Sequence, residues 1–147
     1  MKSVQRHLFW LPMAAALSLL TVSCGESRVS QCSKIITIVN QAGNNTKLAT
    51  NDGKKKDHSA ILKAVEAREK AAKELEAVKL TDKKLQEFQL AFVKWYKDTG
   101  KTSRDLVNAL KKDDQSNIEK LLKNLRSALK QENELVSGIN SYCQQSK

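Results

Sequence analysis

The sequence predicts an all-α fold, an antiparallel up-down-up-down four-helix bundle. Helix-breaking residues are scarce, since the 147-residue chain contains 1 proline and 5 glycines. Lys, Glu, Leu and Ala, which favour helices, are abundant. Apolar residues recur at steps of three and four in four segments, which is the spacing of one helix face. Amphipathic helices joined by short connections pack most simply with each helix antiparallel to the next.

Residues 1–23 have the layout of a bacterial export signal, with a basic start, an uncharged apolar stretch and small residues before Cys24. The order Leu20-Thr21-Val22-Ser23-Cys24 resembles the lipobox of bacterial lipoproteins. That resemblance implies a diacylglycerol on the Cys24 thiol and cleavage before this residue. An ordinary secretory signal and a permanent membrane helix are the alternatives. The apolar stretch contains Pro12 and falls short of the roughly 20 residues that a span requires.

Residues 24–29 are predicted to form a lipidated tether and residues 30–147 a single bundle domain, a length that suits one modest core. The first helix is predicted over residues 30–47. Its apolar stripe consists of Cys32, Ile35, Val39 and Ala42. Residues 51–57 are rich in Asn, Asp, Gly and Lys and predict a loop.

The second helix is predicted over residues 58–78 and is rich in alanine, which allows close packing against its neighbours. Arg68 falls on the inward stripe, and we expect its stem to lie on the core while its guanidinium reaches the rim. The other inward positions are Ile61, Val65, Ala72 and Leu75.

The third helix is predicted to begin after Thr81 or Asp82, which are both good N-caps. Gly100 is a residue type that often ends helices, but the apolar register passes through it almost unshifted, so one long helix is predicted. Tyr96 lies off the stripe and is interpreted as a partly buried side chain or a partner contact. The stripe consists of Leu85, Phe88, Phe92, Trp95, Thr99, Thr102, Leu106 and Leu110.

The fourth helix is predicted to open at Asp113 or Asp114, with Ser116 and Glu119 as a candidate capping box. Glu132 interrupts the apolar run at the same spacing, so the seam is imperfect at that point. The positions predicted to face inward are Ile118, Leu122, Leu125, Leu129, Leu135, Ile139 and Tyr142.

The three cysteines divide between two roles. Cys24 is assigned to the anchor, which leaves Cys32 and Cys143, an even number in a compartment where disulfides persist. In an up-down-up-down bundle the start of the first helix and the end of the fourth lie at the same end. Topology and cysteine count therefore agree on a Cys32–Cys143 disulfide. Free thiols and intermolecular bridges are the alternatives.

No constellation of residues in the sequence supports catalysis, so we expect no enzymatic activity, no cofactor and no metal. His58 is the single histidine after residue 23 and is interpreted as a helix-start residue. Haem bundles use axial His or Met, and the sequence after residue 23 has one histidine and no methionine. Di-iron bundles use Glu-x-x-His repeats, which the sequence lacks. A Gly-rich phosphate loop and a nucleophile elbow are also missing.

The basic charge is open to two interpretations. The chain carries a net charge of +10. Removing Lys2 and Arg6 with the signal lowers 26 basic residues to 24 against 16 acidic ones, a net charge of +8. Such a charge suits anionic lipid, cell-wall polymer or nucleic acid, of which nucleic acid is the least expected partner. Acidic and basic residues alternate along the predicted helices, however, which is also typical of a solvated helical surface.

Three short motifs extend the lipoprotein interpretation along the chain. They are Gln31-Cys32-Ser33-Lys34-Ile35-Ile36, Trp95-Tyr96-Lys97-Asp98-Thr99 and Ile139-Asn140-Ser141-Tyr142-Cys143. With these motifs the chain resembles a group of small cyanobacterial lipoproteins. The resemblance implies an anchored, disulfide-closed helical protein and assigns no activity to it.

We therefore expect a lipid-anchored, non-enzymatic binding or accessory protein on the periplasmic, lumenal or outer face of a bacterial membrane. We expect it to bind the membrane through the lipid on Cys24 and to have a protein as its partner. A basic binder of anionic polymer is the alternative. The residues expected to contact a partner or lipid are Lys83, Lys84, Tyr96, Lys123 and Arg126.

Overall fold

A computed structural model describes residues 26–52, 54 and 57–145. These residues form four helices and no strand: α1 (Arg28–Thr50), α2 (His58–Ala77), α3 (Lys83–Lys111) and α4 (Gln115–Gln144). The prediction of an all-α helical bundle is confirmed. The predicted export signal and Cys24 lie outside the described residues.

Each helix begins at a side chain that caps it. The capping oxygen accepts a hydrogen bond from the backbone N–H three residues later, which satisfies one of the free donors of the first turn. The caps are Ser27, Asp57, Asp82 and Asp114. At the other end of α1, Asn51 adopts a left-handed conformation with φ of 47°, and its N–H bonds back to the carbonyls of Lys47 and Leu48.

The α3 helix continues without a break from Lys83 to Lys111, so the prediction of one long helix through Gly100 is confirmed. Ion pairs hold it to α2, with Arg104 donating to Glu69 at 2.7 Å and Lys97 donating to Glu76. Gly100 itself is buried against this helix, where a Cβ would lie 3.6 Å from Val65 Cγ1. The glycine therefore remains inside a packed helix.

The larger of two hydrophobic clusters draws on all four helices. Ile35, Leu75, Leu85 and Phe92 are fully buried in it, and Ile139 is 2% exposed. The four residues predicted for the α1 stripe all belong to this cluster, which confirms that stripe. We call this region the disulfide end, because it includes Cys32 and Cys143.

The smaller cluster consists of Leu106, Ala109 and Ile118, with Leu121 and Leu125 packed against it, and so involves α3 and α4 alone. We call this region, together with Arg68, Leu122 and Leu129, the open half. Here α4 contacts α3, whereas the contacts between α1 and α4 are few.

Several positions predicted to face inward do not. Leu110, Leu122 and Leu129 are 37%, 39% and 52% exposed, so that part of the prediction is wrong. In α3 the buried position is Ser103, while Thr102 is only partly buried. The physical reason is that helical spacing defines one face of a helix, but a face is buried only where a neighbour covers its full width.

Candidate functional site

The disulfide end is held together by polar contacts as well as by its core. The Gln31 side chain is 2% exposed. Its oxygen accepts hydrogen bonds from the backbone N–H groups of Thr81 and Asp82 at 2.7 and 3.1 Å, and its nitrogen donates to the Glu26 carbonyl at 2.8 Å. The Tyr142 hydroxyl donates to the Asp82 carboxylate at 2.9 Å. These bonds join both ends of the described chain to the α2–α3 connection.

The two cysteines of this end lie side by side. Their Cα atoms are 5.9 Å apart, a disulfide-compatible distance. Next to them, the Arg28 guanidinium lies 5.1 Å from the centre of the Tyr142 ring and donates to the Gln145 carbonyl at 3.4 Å. The sequence-predicted pairing of Cys32 with Cys143 therefore fits the geometry of the bundle.

Arg68, a half-buried arginine of the open half, lines two neighbouring clefts. The Arg68 guanidinium carbon lies 5.6 Å from the centre of the Trp95 ring. Within the described residues Arg68 has no hydrogen bond or ion pair. Trp95 is fixed in place because its Nε1 donates to the Ala128 carbonyl of α4 at 2.8 Å. Arg68 is thus a cation that lies on an aromatic ring held in place by α4.

Two further titratable groups lie near Arg68, and burial disfavours the charged form of all three. Burial lowers the pKa of the Arg68 guanidinium, an effect that the Glu132 carboxylate opposes. Burial raises the pKa of the Glu132 carboxyl, and the Arg68 charge opposes that shift. Burial also raises the pKa of the Tyr96 hydroxyl, with a further contribution from Glu132. The positive charge of Arg68 is therefore poorly solvated and only partly balanced.

Both clefts are small. The first, of about 190 Å³, lies between Arg68 and α4 and is lined by Trp95, Thr99, Ser103, Leu125, Ala128 and Leu129. The second, of about 160 Å³, lies on the α1 side and is lined by Ala42, Gly43, Thr46, Lys47, Tyr96 and Glu132. Pockets for small organic ligands usually measure about 300–1,000 Å³. Each cleft has room for a side chain of a partner but is small for an enclosed ligand.

The α1 wall of the second cleft is polar and incompletely satisfied. The Thr46 Oγ1 atom is buried and has no hydrogen-bond partner among the described residues. A buried hydroxyl without a partner costs about 1–3 kcal/mol. Polar and apolar groups of α1 therefore both line this cleft, since Ala42 lies beside Thr46 and Lys47.

One line of α4 side chains changes from covered to exposed along the helix. Leu122, Leu129, Val136 and Cys143 follow one another at seven-residue steps, so they lie on the same side of α4. Val136 and Cys143 pack against the large cluster at the disulfide end. Leu122 and Leu129 are 39% and 52% exposed. The same helix face that packs at one end is uncovered in the open half.

Cations of α4 border this uncovered line. Lys120, Lys123, Arg126 and Lys130 are exposed, and in the part of the chain that the structure describes none has an ion-pair partner. Cations of α3 behave differently. Lys94 pairs with Asp98, Lys101 with Asp105 and Arg104 with Glu69. The exposed cations of α4 therefore lack the ion pairs that most cations of α3 make.

The residues predicted to contact a partner or lipid have different positions. Lys83, Lys84, Lys123 and Arg126 are exposed, and Lys84 pairs with Glu87 at 2.6 Å. Tyr96 is only 2% exposed and packs against the Trp95 ring with centroids 5.1 Å apart. The interpretation of Tyr96 as a partner contact is wrong, because helix packing turns its ring into the core.

The described residues contain neither a metal-binding cluster nor a membrane-spanning helix. Among residues 26–52, 54 and 57–145 no group of three or more His, Cys, Asp and Glu side chains is placed to hold a metal ion. In the same part of the chain, no helix combines the length and the apolar character needed to cross a bilayer.

Sequence reasoning missed the site around Arg68 and the importance of Gln31. One signal was present, since Arg68 and Glu132 each occupy an inward position of an otherwise apolar stripe. Two opposite charges at inward positions of different helices indicate a break in the core. Nothing in the local sequence distinguished Gln31 from the solvated glutamines elsewhere in the chain.

Comparisons with known proteins do not identify this chain. No family model, no curated protein and no solved structure matches it.

Proposed function

We propose that this protein is a lipid-anchored, non-enzymatic accessory protein that holds a binding face of α4 at a membrane surface. Cys24 provides the anchor on the exported side, and the partner is a protein. The observation that supports this proposal best is on α4, where exposed leucines lie next to cations that have no acidic partner in the described chain. An uncovered apolar line bordered by free charge is typical of an interaction surface.

The proposed bundle is antiparallel, with an up-down-up-down order. Pairs of contacting residues support this order, because the residue number rises on one helix as it falls on the next. Between α2 and α3 the pairs are Glu69–Arg104 and Glu76–Lys97. Between α3 and α4 they are Asp82–Tyr142 and Trp95–Ala128.

This topology orients the protein on its membrane. Helix α1 begins four residues after Cys24, so the disulfide end lies near the bilayer. Lys79 of the α2–α3 connection, with Lys83 and Lys84 in the first turn of α3, then forms part of a basic collar at that end, which adds up to about 1 kcal/mol per charge on an anionic surface. The open half points away from the lipid, where a partner has free access to it.

Binding of an anionic polymer is the second candidate, since the unpaired cations of α4 also suit a polyanion. The two candidates differ in their dependence on salt. Polymer binding falls steeply with ionic strength because it releases counterions. A protein interface that includes Leu122 and Leu129 retains its apolar contribution at high salt.

The test is charge reversal on α4. We expect the double substitution Lys123→Glu and Arg126→Glu to release a protein that copurifies with the natively produced chain in detergent. Folding and membrane fractionation should be unchanged, because both side chains are exposed and unpaired. The matched control is Lys63→Glu with Lys73→Glu, which changes the net charge equally at two exposed cations of α2 that form no ion pair with the described residues. Equal loss of the partner in both variants would refute a specific role for α4.

A further inference from the structure

We propose that the binding partner presents an acidic amphipathic helix, which docks along α4 in the open half. Its apolar side chains cover Leu122, Leu125 and Leu129, and its acidic side chains pair with Arg68 on one edge and with Arg126 and its neighbours on the other. This inference rests on the proposed function and names the chemistry of the partner.

The apolar part of the argument comes from the line Leu122, Leu129, Val136 and Cys143. At the disulfide end this line is covered by neighbouring helices, and in the open half it is not. The distance from Ile118 to Leu129 along α4 is about 16 Å, the length of three turns of helix. A partner helix beside α4 would cover this line in the open half, as the neighbouring helices of the bundle cover it at the disulfide end.

The charges beside the exposed leucines indicate the charge that the partner carries. On the outer edge, Lys123, Arg126 and Lys130 have no acidic partner within the described chain. On the inner edge, Arg68 has none either, and its charge lies on the Trp95 ring. A helix placed between Arg68 and the outer cations is best matched by acidic side chains on both of its edges.

The first cleft specifies how one acidic side chain is recognised. It contains no acidic residue in its wall, whereas the second cleft contains Glu132. Arg68 contributes a guanidinium to the first cleft, and the Ser103 hydroxyl, in a residue 4% exposed, lines it as well. A glutamate or aspartate of the partner that enters this cleft receives donors from Arg68 in a fixed fork geometry. Repulsion from Glu132, which lines the second cleft, favours the first cleft for this carboxylate.

The same observations argue against two other occupants. A second copy of α4 would bring Lys123, Arg126 and Lys130 against identical cations, which is unfavourable. A bilayer surface is flat on this scale and does not reach Arg68, which is half-buried between the clefts. The acidic helix alone uses the leucines, the outer cations and the arginine together.

The experiment measures binding of designed peptides to the natively produced chain in detergent by calorimetry. The first peptide, of about 18 residues so that it forms a helix, has leucine at every third or fourth position and glutamate on both edges. The second is identical except that lysine replaces each glutamate. We expect the acidic peptide to bind and the basic peptide not to bind. Equal binding of the two, or binding of neither, would overturn the inference.

Leucine variants test the docking line. Leu122→Gln with Leu129→Gln should weaken binding of the acidic peptide at least about tenfold, a difference of about 1.4 kcal/mol. The matched control is Leu48→Gln with Leu90→Gln, which alters two leucines that are 80% and 68% exposed on other helix faces. An equal loss in the control pair would refute the assigned surface. All four leucines are exposed, so neither double variant should affect folding.

Arginine variants test the cleft. Arg68→Gln should weaken the acidic peptide more than Arg104→Gln, since Arg104 already pairs with Glu69. Circular dichroism and a melting curve establish that each variant is folded. If Arg68→Gln has no effect while the leucine pair does, the carboxylate does not enter the first cleft and that assignment fails.

Two further measurements separate the other occupants. Vesicles of anionic phospholipid that bind the chain through Leu122 and Leu129, in place of the peptide, would reassign this face to lipid. Self-association that the same leucine pair abolishes would reassign it to a second copy. If the acidic peptide does not bind but Lys123→Glu with Arg126→Glu still releases the native partner, the proposed function stands and this inference falls. If that charge reversal releases nothing, the proposed function itself fails.

Discussion

The disulfide end and the open half of the bundle use the same helices but pack in different ways. At the disulfide end, large side chains from all four helices are buried and Gln31 satisfies the backbone of the α2–α3 connection. In the open half the core is narrow, Arg68 has no ion-pair partner among the described residues, and two leucines of α4 are exposed. One end buries a core shared by all four helices, and the other leaves apolar surface of α4 exposed.

We expect the stability of this small helical protein to be concentrated at the disulfide end. Free energies of local opening vary within one fold, and regions with few buried apolar contacts open most readily. A firm disulfide end allows the open half to keep uncovered apolar surface and a poorly solvated charge without loss of the fold. Substitutions at the two ends should therefore differ in their effect on unfolding.

The largest effect is expected from the cysteine pair. The Cys32 and Cys143 positions are separated by 111 residues, and closing a loop of that length stabilises by up to about 4–5 kcal/mol on the chain-entropy model. Cys32→Ser with Cys143→Ser should lower the urea midpoint accordingly, and reductant should do the same to the parent protein. A midpoint that does not respond to reductant would show that the pair is not oxidised.

A buried aromatic residue and an exposed leucine provide the second test. Phe92→Ala should cost about 3–5 kcal/mol, because the ring is fully buried and its removal leaves a cavity. Leu129→Ala, at a position 52% exposed, should change the free energy of unfolding by about 0.5 kcal/mol or less. Urea unfolding of both variants measures the contrast. Similar costs would mean that the two regions do not differ in packing.

The smallest effect concerns Glu132 and pH. Burial raises the pKa of its carboxyl in the folded protein, so the folded state binds this proton more tightly than the unfolded state does. The cost of the buried carboxylate is present at neutral pH and disappears as the pH falls through the folded-state pKa. Relative to Glu132→Gln, the parent protein should therefore gain stability as the pH falls from 7 towards 4.5.

Other carboxyls have the opposite effect on stability as the pH falls, but they are present in both the parent and Glu132→Gln, so their contributions cancel in the difference. Hydrogen bonds lower the pKa of Glu26, Glu69 and Asp82. The stability that these ionised carboxylates contribute to the folded protein is therefore lost as the pH falls. Urea midpoints at several pH values provide the difference between the parent and Glu132→Gln. A constant difference across this range would show that Glu132 titrates normally.

Much of the fold was predictable from local sequence. The four helices, two of the caps and the continuity of α3 through Gly100 follow from hydrogen-bonding side chains and from periodicity, which act within a few residues. The partnership of Cys32 with Cys143 followed from cysteine count combined with a simple topology. These features depend on residues close together in the sequence more than on packing between helices.

The tertiary structure alone decided which parts of a predicted face are buried. Leu129 and Val136 occupy equivalent positions on α4, yet Val136 packs against the large cluster and Leu129 is 52% exposed. Tyr96 lies off the apolar stripe but is buried. Periodicity specifies the direction of a side chain relative to its own helix, whereas burial depends on how closely a second helix approaches. That approach is set by packing across the whole bundle, and so it decides where Arg68 and the exposed leucines of α4 lie.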